Sequence, residues 1–163
     1  MKFKIHTWPD KLLKTPCKEV KEVNQEIRKT LDGMYSYMRI SDGVGLAANQ
    51  VGLTLKLIVI EWADRVLKLV NPTIIKKEGS LESLEGCLSF PGVELSIKRS
   101  KKVSVDALDR EGKRLKIRAE GILAVILQHE IDHLSGITLI DRVSLLKRAL
   151  VVPKLNAIKK KKI

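Results

Sequence analysis

The sequence predicts an α+β fold in which strands outnumber helices. Short apolar runs come in neighbouring pairs separated by turn residues, which is typical of antiparallel hairpins and not of parallel strands with helical crossovers. Two longer segments have helical character, one amphipathic and one almost wholly apolar. The chain has 163 residues, of which 44% are hydrophobic. That is enough for one domain with a core, whose main body we expect at residues 1–143, with a C-terminal helix and basic tail at residues 144–163.

Three segments are predicted to be helices. From Asn24 to Ser41, Asn24 can act as the N-cap, and the apolar residues on one face are Ile27, Leu31, Met34 and Met38. Residues 122–134 are densely apolar and long enough for a buried helix, with Gly136 placed at its C-terminal end. A short final helix is expected from Ser144 to about Val152, because Pro153 interrupts or ends it.

The strands are predicted to form two hairpins. Residues 55–60 read as a buried strand, and residues 66–70 should pair with them across a turn at residues 63–65, until Asn71 and Pro72 break the run. Residues 103–107 and 115–117 alternate apolar and polar side chains on either side of a turn that contains Gly112. This second pair therefore predicts a half-buried hairpin.

The composition argues against several classes of protein. No stretch approaches the ~18–20 apolar residues of a membrane span, and the N-terminal residues lack the apolar run of a secretory signal. Two cysteines do not make a disulfide framework, so we expect a reduced cytoplasmic protein without a membrane partner. The net charge of +12 favours encounters with anionic partners such as nucleic acid. The Lys159–Lys162 cluster is equally compatible with a solvated tail.

The apolar helix carries the clearest chemical signal. His129 and His133 are four residues apart, so both imidazoles can reach one ion from the same helix face. Glu130 can hang beside that ion, within reach of a bound water, without ligating it. Two of the chain's three histidines occupy this pattern, which favours a metal-dependent hydrolase over a pair of structural histidines. Asp132 is rotated off the same face and should point away from the ion.

A hydrolytic site needs a third protein ligand and an open position. Many zinc peptidases use a Glu or His downstream of the helix, but here Asp141 is the only downstream carboxylate. Cys87, in the glycine-flanked segment 85–92, is a better candidate, although a free cysteine is more often a small buried residue. Cys17 and His6 lack such neighbours and are expected to be structural.

A glycine-rich segment, Gly43-Val-Gly-Leu-Ala-Ala-Asn-Gln-Val-Gly52, is the third unusual feature. It could be only a tight loop that packs on the core. A phosphate-binding loop is a weak alternative, because the segment lacks a Gly-Lys-Ser/Thr ending. The amide of Gln50 is a neutral donor that could stabilise a developing oxyanion.

Three motifs together resemble the signature motifs of peptide deformylases, in the same order. They are residues 43–50 (GVGLAANQ), 85–89 (EGCLS) and 129–133 (HEIDH). The resemblance runs from the N-terminus to about Val143. It implies antiparallel sheets packed around the helix that bears the metal ligands, and a single catalytic domain at residues 1–143. The implied activity is removal of the formyl group from the N-formylmethionine of newly synthesised polypeptides.

The resemblance also assigns roles to residues. Cys87, His129 and His133 would bind one divalent metal ion, with Glu130 as the acid/base. The ion would be Fe(II) in the cell, with Zn(II), Ni(II) or Co(II) possible in vitro. Gln50 and the backbone N–H of Leu88 would form the oxyanion hole. The substrate-binding residues would be Val44, Gly45, Gly86, Ile122, Val125 and Ile126.

Two further points follow from the resemblance. Glu85 and Arg99 match an ion pair that braces the metal-binding loop in relatives, whereas Gly92-Val-Glu-Leu stands where some relatives carry an Arg near the substrate backbone. Recognition of the second and third substrate residues is therefore not carried over. The implied partner is the nascent N-formyl polypeptide, and the ribosome is a candidate contact for the basic C-terminus.

Two other functions would use the same residues. A metallopeptidase would share the histidine helix but act on unformylated peptides along a cleft that extends on both sides of the metal. A basic ribosome- or RNA-binding module with a structural zinc would need a closed site of four ligands. Only three good ligands are evident, and aromatic residues, on which RNA bases stack, make up only 4% of the chain.

Overall fold

The computed structural model describes residues 3–160, with side chains described as far as residue 158. The described residues form three α-helices: α1 (Gln25–Ile40), α2 (Ile122–Leu134) and α3 (Leu145–Lys160). They also form seven strands: β1 (Gly45–Ala47), β2 (Leu57–Trp62), β3 (Arg65–Glu78), β4 (Leu81–Glu85), β5 (Leu95–Arg99), β6 (Lys102–Leu108) and β7 (Arg114–Glu120). One sheet has the order β1-β2-β3-β6-β7, and β4 pairs with β5. All strand pairs are antiparallel, which confirms the predicted α+β class.

Strand β2 separates two apolar cores. Leu57 and Val59 pack in the core that contains α1, whereas Ile58 and Ile60 pack in the core that contains α2. All four side chains are fully buried. Because both faces of the strand are covered, its sequence is continuously apolar instead of alternating. Helices α1 and α2 thus pack on opposite faces of the sheet.

Helix α2 has the predicted bounds. It is buried along nearly its whole length and packs against β1, β2, β3 and β7. Gly136 follows the C-cap with φ of 71°, and the N–H groups of Gly136 and Ile137 donate to the carbonyls of His133 and Asp132. These two bonds are the Schellman pattern, which a glycine adopts without strain. The predicted end of the helix is therefore confirmed.

Helix α1 also follows its prediction. The Asn24 side chain accepts a hydrogen bond of 3.0 Å from the N–H of Ile27, as an N-cap does. The four apolar side chains at helical spacing are buried in one core: Ile27, Leu31, Met34 and Met38.

Two strand predictions need correction. The turn after β2 contains only residues 63 and 64, since Arg65 already pairs with Trp62. The Asn71-Pro72 pair does not end β3 but falls at a shift of register, after which pairing with β6 resumes at Thr73. The Asn71 backbone has φ of 51°, and its side chain bonds both the N–H and the carbonyl of Val20. Pro72 lies at this bulge, where no ladder hydrogen bond needs the N–H that proline lacks. The strand can therefore continue past it.

Strands β1, β4 and β5 were not predicted from the sequence. Residues 45–47 were expected to lie in a loop, but they pair with β2 and lead into a short 3-10 helix, Ala48–Val51. Residues 81–85 are half exposed and mostly polar, so their sequence carries little strand signal. They form a strand because β5 supplies the ladder partners, which is a tertiary effect.

The predicted end of the last helix at Val152 is wrong, since α3 continues through Pro153 to Lys160. Pro153 lies on the exposed side, while Val151 and Leu155 are buried against a cluster that includes Phe90. A proline inside a helix costs about 3 kcal/mol. Burial of apolar side chains on both sides of it offsets that cost. Of the lysine cluster, residues 161 and 162 lie outside the described residues.

None of the described helices is long and apolar enough to cross a membrane.

Candidate active site

The three sequence motifs meet at one cavity of about 430 Å³. The glycine-rich segment contributes β1 and the 3-10 helix that follows it. The cysteine motif contributes the end of β4 and the loop after it, and α2 forms the remaining wall. The cavity is therefore built from segments far apart in sequence and brought together by the sheet and α2.

Cys87, His129 and His133 converge beside this cavity. Helix α2 presents both imidazoles on one face, with their Nε2 atoms 3.3 Å apart. The Cys87 Sγ atom lies 3.3 Å from the His133 Nε2 atom, and the three donor atoms all lie within 4.8 Å of one another. Among the described residues, this is the one group of at least three such donors that could hold a metal ion.

A buried ion pair supports the first histidine. The Arg99 Nε and Nη2 atoms donate to the two Glu85 carboxylate oxygens at 2.7 and 2.9 Å. Glu85 Oε2 lies 2.9 Å from His129 Nδ1, which orients the imidazole so that Nε2 faces the cavity. Burial raises the pKa of Glu85, but the hydrogen bonds and positive charges of Arg99 and His129 outweigh this effect, so the pKa is lowered. The predicted Glu85–Arg99 ion pair is present, and it also positions His129.

Asp132 points away from the three donors, as predicted. Its Oδ2 atom accepts from Arg99 Nη1 at 2.6 Å and from Arg142 Nε at 2.8 Å. The network thus extends from the surface through Asp132, Arg99 and Glu85 to His129.

The surroundings of the two imidazoles favour one positive charge but not two. Although burial lowers it, the Cys87 sulfur and the Glu85 carboxylate raise the pKa of His129 well above its ordinary value. Burial and the nearby charge on His129 lower the pKa of His133 well below its ordinary value.

Glu130 is buried directly beside the histidines. Only 4% of its surface is exposed, and its Oε2 atom has no hydrogen-bond partner among the described residues. Burial raises the pKa of Glu130 to about 7. A carboxyl group with such a pKa can both accept and release a proton near neutral pH.

Gln50 also lines the cavity, on the 3-10 helix after β1. Its Oε1 atom accepts a 2.8 Å bond from the N–H of Ala47, which fixes the orientation of the amide. Its Nε2 atom lies 3.1 Å from Ser89 Oγ and 3.4 Å from Cys87 Sγ. The donor end of the amide therefore faces Cys87, one of the three candidate metal ligands. Leu88, directly after Cys87, lines the same cavity.

All six residues predicted to bind substrate line the cavity: Val44, Gly45, Gly86, Ile122, Val125 and Ile126. Val44 and Ile122 are about half exposed at its mouth. The sequence analysis missed Trp62, Leu84 and Asp42, which also line it. Leu84 is 68% exposed. If β4 had been predicted as a strand, an apolar side chain on its exposed face would have indicated a substrate contact.

The remaining candidates stay outside the site. His6 pairs with Asp10 at 2.7 Å, and Cys17 is a free, buried cysteine in the apolar core. Neither is among the residues that line the cavity or converge beside it.

The arrangement can be compared with known proteins. A family model described as polypeptide deformylase matches residues 2–149. The chain belongs to the polypeptide deformylase family. It is 45% identical over 153 residues to a peptide deformylase of Thermodesulfovibrio yellowstonii, a match that covers 91% of this chain and 93% of that protein.

Solved structures of the family share the whole fold. A peptide deformylase from Legionella pneumophila has a TM-score of 0.93 at 39% identity, with coverage of 99% of this chain and 98% of that one. A peptide deformylase from Ehrlichia chaffeensis in complex with actinonin has a TM-score of 0.92 at 37% identity, with coverage of 98% and 96%. The predicted activity, metal-dependent removal of the N-formyl group from formylmethionine of new polypeptides, is confirmed at the level of the family.

Proposed function

We propose that Cys87, His129 and His133 hold the catalytic divalent ion of this family member. The observation that carries the proposal is the convergence of their donor atoms at a substrate-sized cavity, beside a Glu130 oxygen that has no hydrogen-bond partner in the described part of the chain. Two ligand atoms ~2.1 Å from a tetrahedral ion stand about 3.4 Å apart. The separation of 3.3 Å between the two Nε2 atoms matches this value, so the residues present fit such an ion.

A bound divalent ion would supply Lewis-acid chemistry, lowering the pKa of a water molecule and polarising the formyl carbonyl. We propose Fe(II) as the ion in the cell, because the resemblance to peptide deformylases implies it and a donor set of one thiolate and two imidazoles admits it. Zn(II), Ni(II) or Co(II) should also occupy the site in vitro. The same thiolate would make the site sensitive to oxidation.

The cavity would bind the formylmethionine end of the substrate. Its apolar walls, among them Val125, Ile126 and Ile122, suit the methionine side chain. The exposed apolar residues at the mouth, Val44 and Leu84, would lie along the polypeptide that leaves the site. A mouth open to solvent is required, because the substrate is the end of a long chain.

Glu130 would move the protons of the reaction. It accepts a proton from the water that attacks the formyl carbon, and it then donates that proton to the amine as the carbon–nitrogen bond breaks. The products are formate and a free N-terminal methionine. Gln50 Nε2 and the backbone N–H of Leu88 would donate to the carbonyl oxygen as negative charge develops on it. Loss of one such donor typically costs ~3 kcal/mol of barrier.

A formate-release assay tests the activity directly. We would purify the protein without oxygen, measure its metal content, and supply N-formylmethionyl peptides and their unformylated counterparts. Formate should be released from the formylated peptides, while the unformylated peptides remain intact. Cleavage of internal peptide bonds would instead indicate a metallopeptidase.

We also propose that the protein works in the cytoplasm and contacts the ribosome through its basic C-terminus. Helix α3 continues to Lys160, and it exposes Lys147 and Arg148. Phosphate neutralisation by these cations and by Lys159–Lys162 would make binding weaken steeply with salt.

The test of ribosome binding must keep α3 intact, because Leu155 is buried and truncation after Val152 would remove it. We would replace the four lysines 159–162 by Gln and compare co-sedimentation with ribosomes at low and moderate salt. The substituted chain should sediment less at low salt. Equal sedimentation of the two chains would reject a role for the lysine cluster.

A further inference from the structure

Ser89 is a buried hydroxyl beside the metal-binding loop with a specific partner in the site. Its side chain is fully buried, and its Oγ atom accepts a hydrogen bond of 3.1 Å from the Nε2 atom of Gln50. Gln50 is itself only 1% exposed. A buried amide of this kind must place each of its hydrogens on an acceptor, because water cannot replace a missing partner.

The hydrogen bonds of Gln50 determine where its two Nε2 hydrogens point. Because Oε1 accepts from the Ala47 N–H at 2.8 Å, a flip of the amide would place two donors against each other. With the flip excluded, one Nε2 hydrogen goes to Ser89 Oγ. The other is directed to the side of Cys87 Sγ, 3.4 Å away, where the metal ligands meet.

We propose that Ser89 is a positioning residue that acts through Gln50. By accepting one Nε2 hydrogen, it aims the other at the oxygen of the reacting formyl group. The inference rests on the proposed role of Gln50 as an oxyanion donor and deepens it. Donors of this type are effective only when they are oriented before the reaction, so the acceptor behind the amide matters as much as the amide itself.

The backbone of both residues is held independently of this bond. The N–H of Trp8 donates to the Ser89 carbonyl at 2.9 Å, and the N–H of His6 donates to the Gln50 carbonyl at 2.8 Å. The N-terminal segment thus ties the two loops together. Removal of the Ser89 hydroxyl should therefore leave one Nε2 hydrogen without its acceptor and let the donor end of the amide tilt, without moving the loop that carries Cys87.

A double-mutant cycle separates positioning from general stability. The variants are Ser89→Ala, Gln50→Ala and the double variant, each loaded with Zn(II) and checked for one bound ion. Gln50→Ala should lower kcat by about 10²–10³-fold, which is typical for loss of an oxyanion donor. Ser89→Ala should lower kcat by about tenfold with KM changed less than about twofold, since it misdirects a donor used mainly in the transition state. In the Gln50→Ala background, Ser89→Ala should cost less than about twofold.

Two further variants make the result interpretable. Thr30→Val removes a hydroxyl from another buried residue, in α1 and outside the cavity, and should leave kcat unchanged. Ser89→Cys retains a weak acceptor of similar size and should give a kcat between those of wild type and Ser89→Ala. It also replaces Ser89→Ala in the cycle if the alanine variant fails to fold.

The outcomes distinguish failure of the inference from failure of the proposed function. Equal costs of the Ser89 change in the wild-type and Gln50→Ala backgrounds would overturn the positioning role but leave Gln50 as a donor. An unchanged kcat for Gln50→Ala would overturn the oxyanion role itself, and the inference with it. A coupling close to the whole effect of Ser89→Ala, with bound metal retained, supports the proposal.

Discussion

Gly45 leaves the space that the Glu130 carboxylate occupies. A Cβ atom on Gly45 would lie 2.8 Å from Glu130 Cδ and still closer to Oε1, which is less than real side chains tolerate. Any larger residue at position 45 would therefore displace the carboxylate that is proposed to carry the proton. The glycine is required for close approach and not for a left-handed backbone.

Gly45→Ala should displace the Glu130 carboxylate and lower kcat by about 10²-fold, the cost of misplacing a reacting group by about 1 Å. The metal content should not change, because the atoms that an added Cβ would meet first belong to Glu130 and not to the candidate ligands. Gly33→Ala, in α1 and outside the cavity, is the matched control. A Cβ there would meet the Phe3 ring at 2.9 Å, so the variant introduces a similar clash away from Glu130, and kcat should change little. Similar losses in both variants would argue against the steric explanation.

Glu130→Gln should retain the metal and lose most turnover. The substitution preserves the shape of the side chain but removes its ability to accept a proton, and general acid–base groups typically contribute about 10²–10⁴-fold. Formate release and metal content should be measured on the same sample. Near wild-type turnover in a fully loaded variant would show that another group carries the proton.

Cys87→Ala should lose the metal, since it removes one of three converging donors. Metal analysis after dialysis against a chelator would measure the loss, and activity should fall with it. Cys17→Ala is the control, because this cysteine is free and buried in the apolar core. Metal retained in the Cys87 variant to the same extent as in the Cys17 variant would remove the thiolate from the proposed ligand set.

Asp32 should contribute stability that is lost in acid. Its carboxylate accepts bonds from Arg110 at 2.7 and 2.9 Å and from Lys68 at 2.8 Å, and these partners lower its pKa. A pKa lowered on folding stabilises the native state above the unfolded value of ~3.9, and that stability is lost as the pH falls through the folded value.

Asp32→Asn should therefore reduce the free energy of unfolding at pH 7, and the difference from wild type should shrink below about pH 4. The side chain is 41% exposed, so the loss should be only about 1 kcal/mol or less. Urea unfolding of both proteins at pH 7, 4 and 3 would measure it. The exposed Glu22→Gln should show no such trend, and a difference independent of pH would contradict the ionic explanation.

Interactions between residues close in sequence determine the features of this chain that were predicted correctly. The spacing of His129 and His133 fixes both imidazoles on one face of α2, because helix geometry is set by residues close in sequence. The bounds of α2, the cap of α1 by Asn24 and the hairpin of β6 and β7 are confirmed for the same reason. The sequence could also indicate that Asp132 faces away from the ion.

Tertiary structure decided what local patterns could not. Residues 81–85 became a strand only because β5 pairs with them, and α3 passes Pro153 because Val151 and Leu155 find a buried partner surface. The meeting of Cys87 and Gln50 with the α2 histidines likewise depends on how the sheet and loops pack. From the residues alone, Cys87 was one candidate ligand, and Ser89 had no assigned role. Its contact with Gln50 joins positions 39 residues apart, and only packing of the folded chain fixes such a distance.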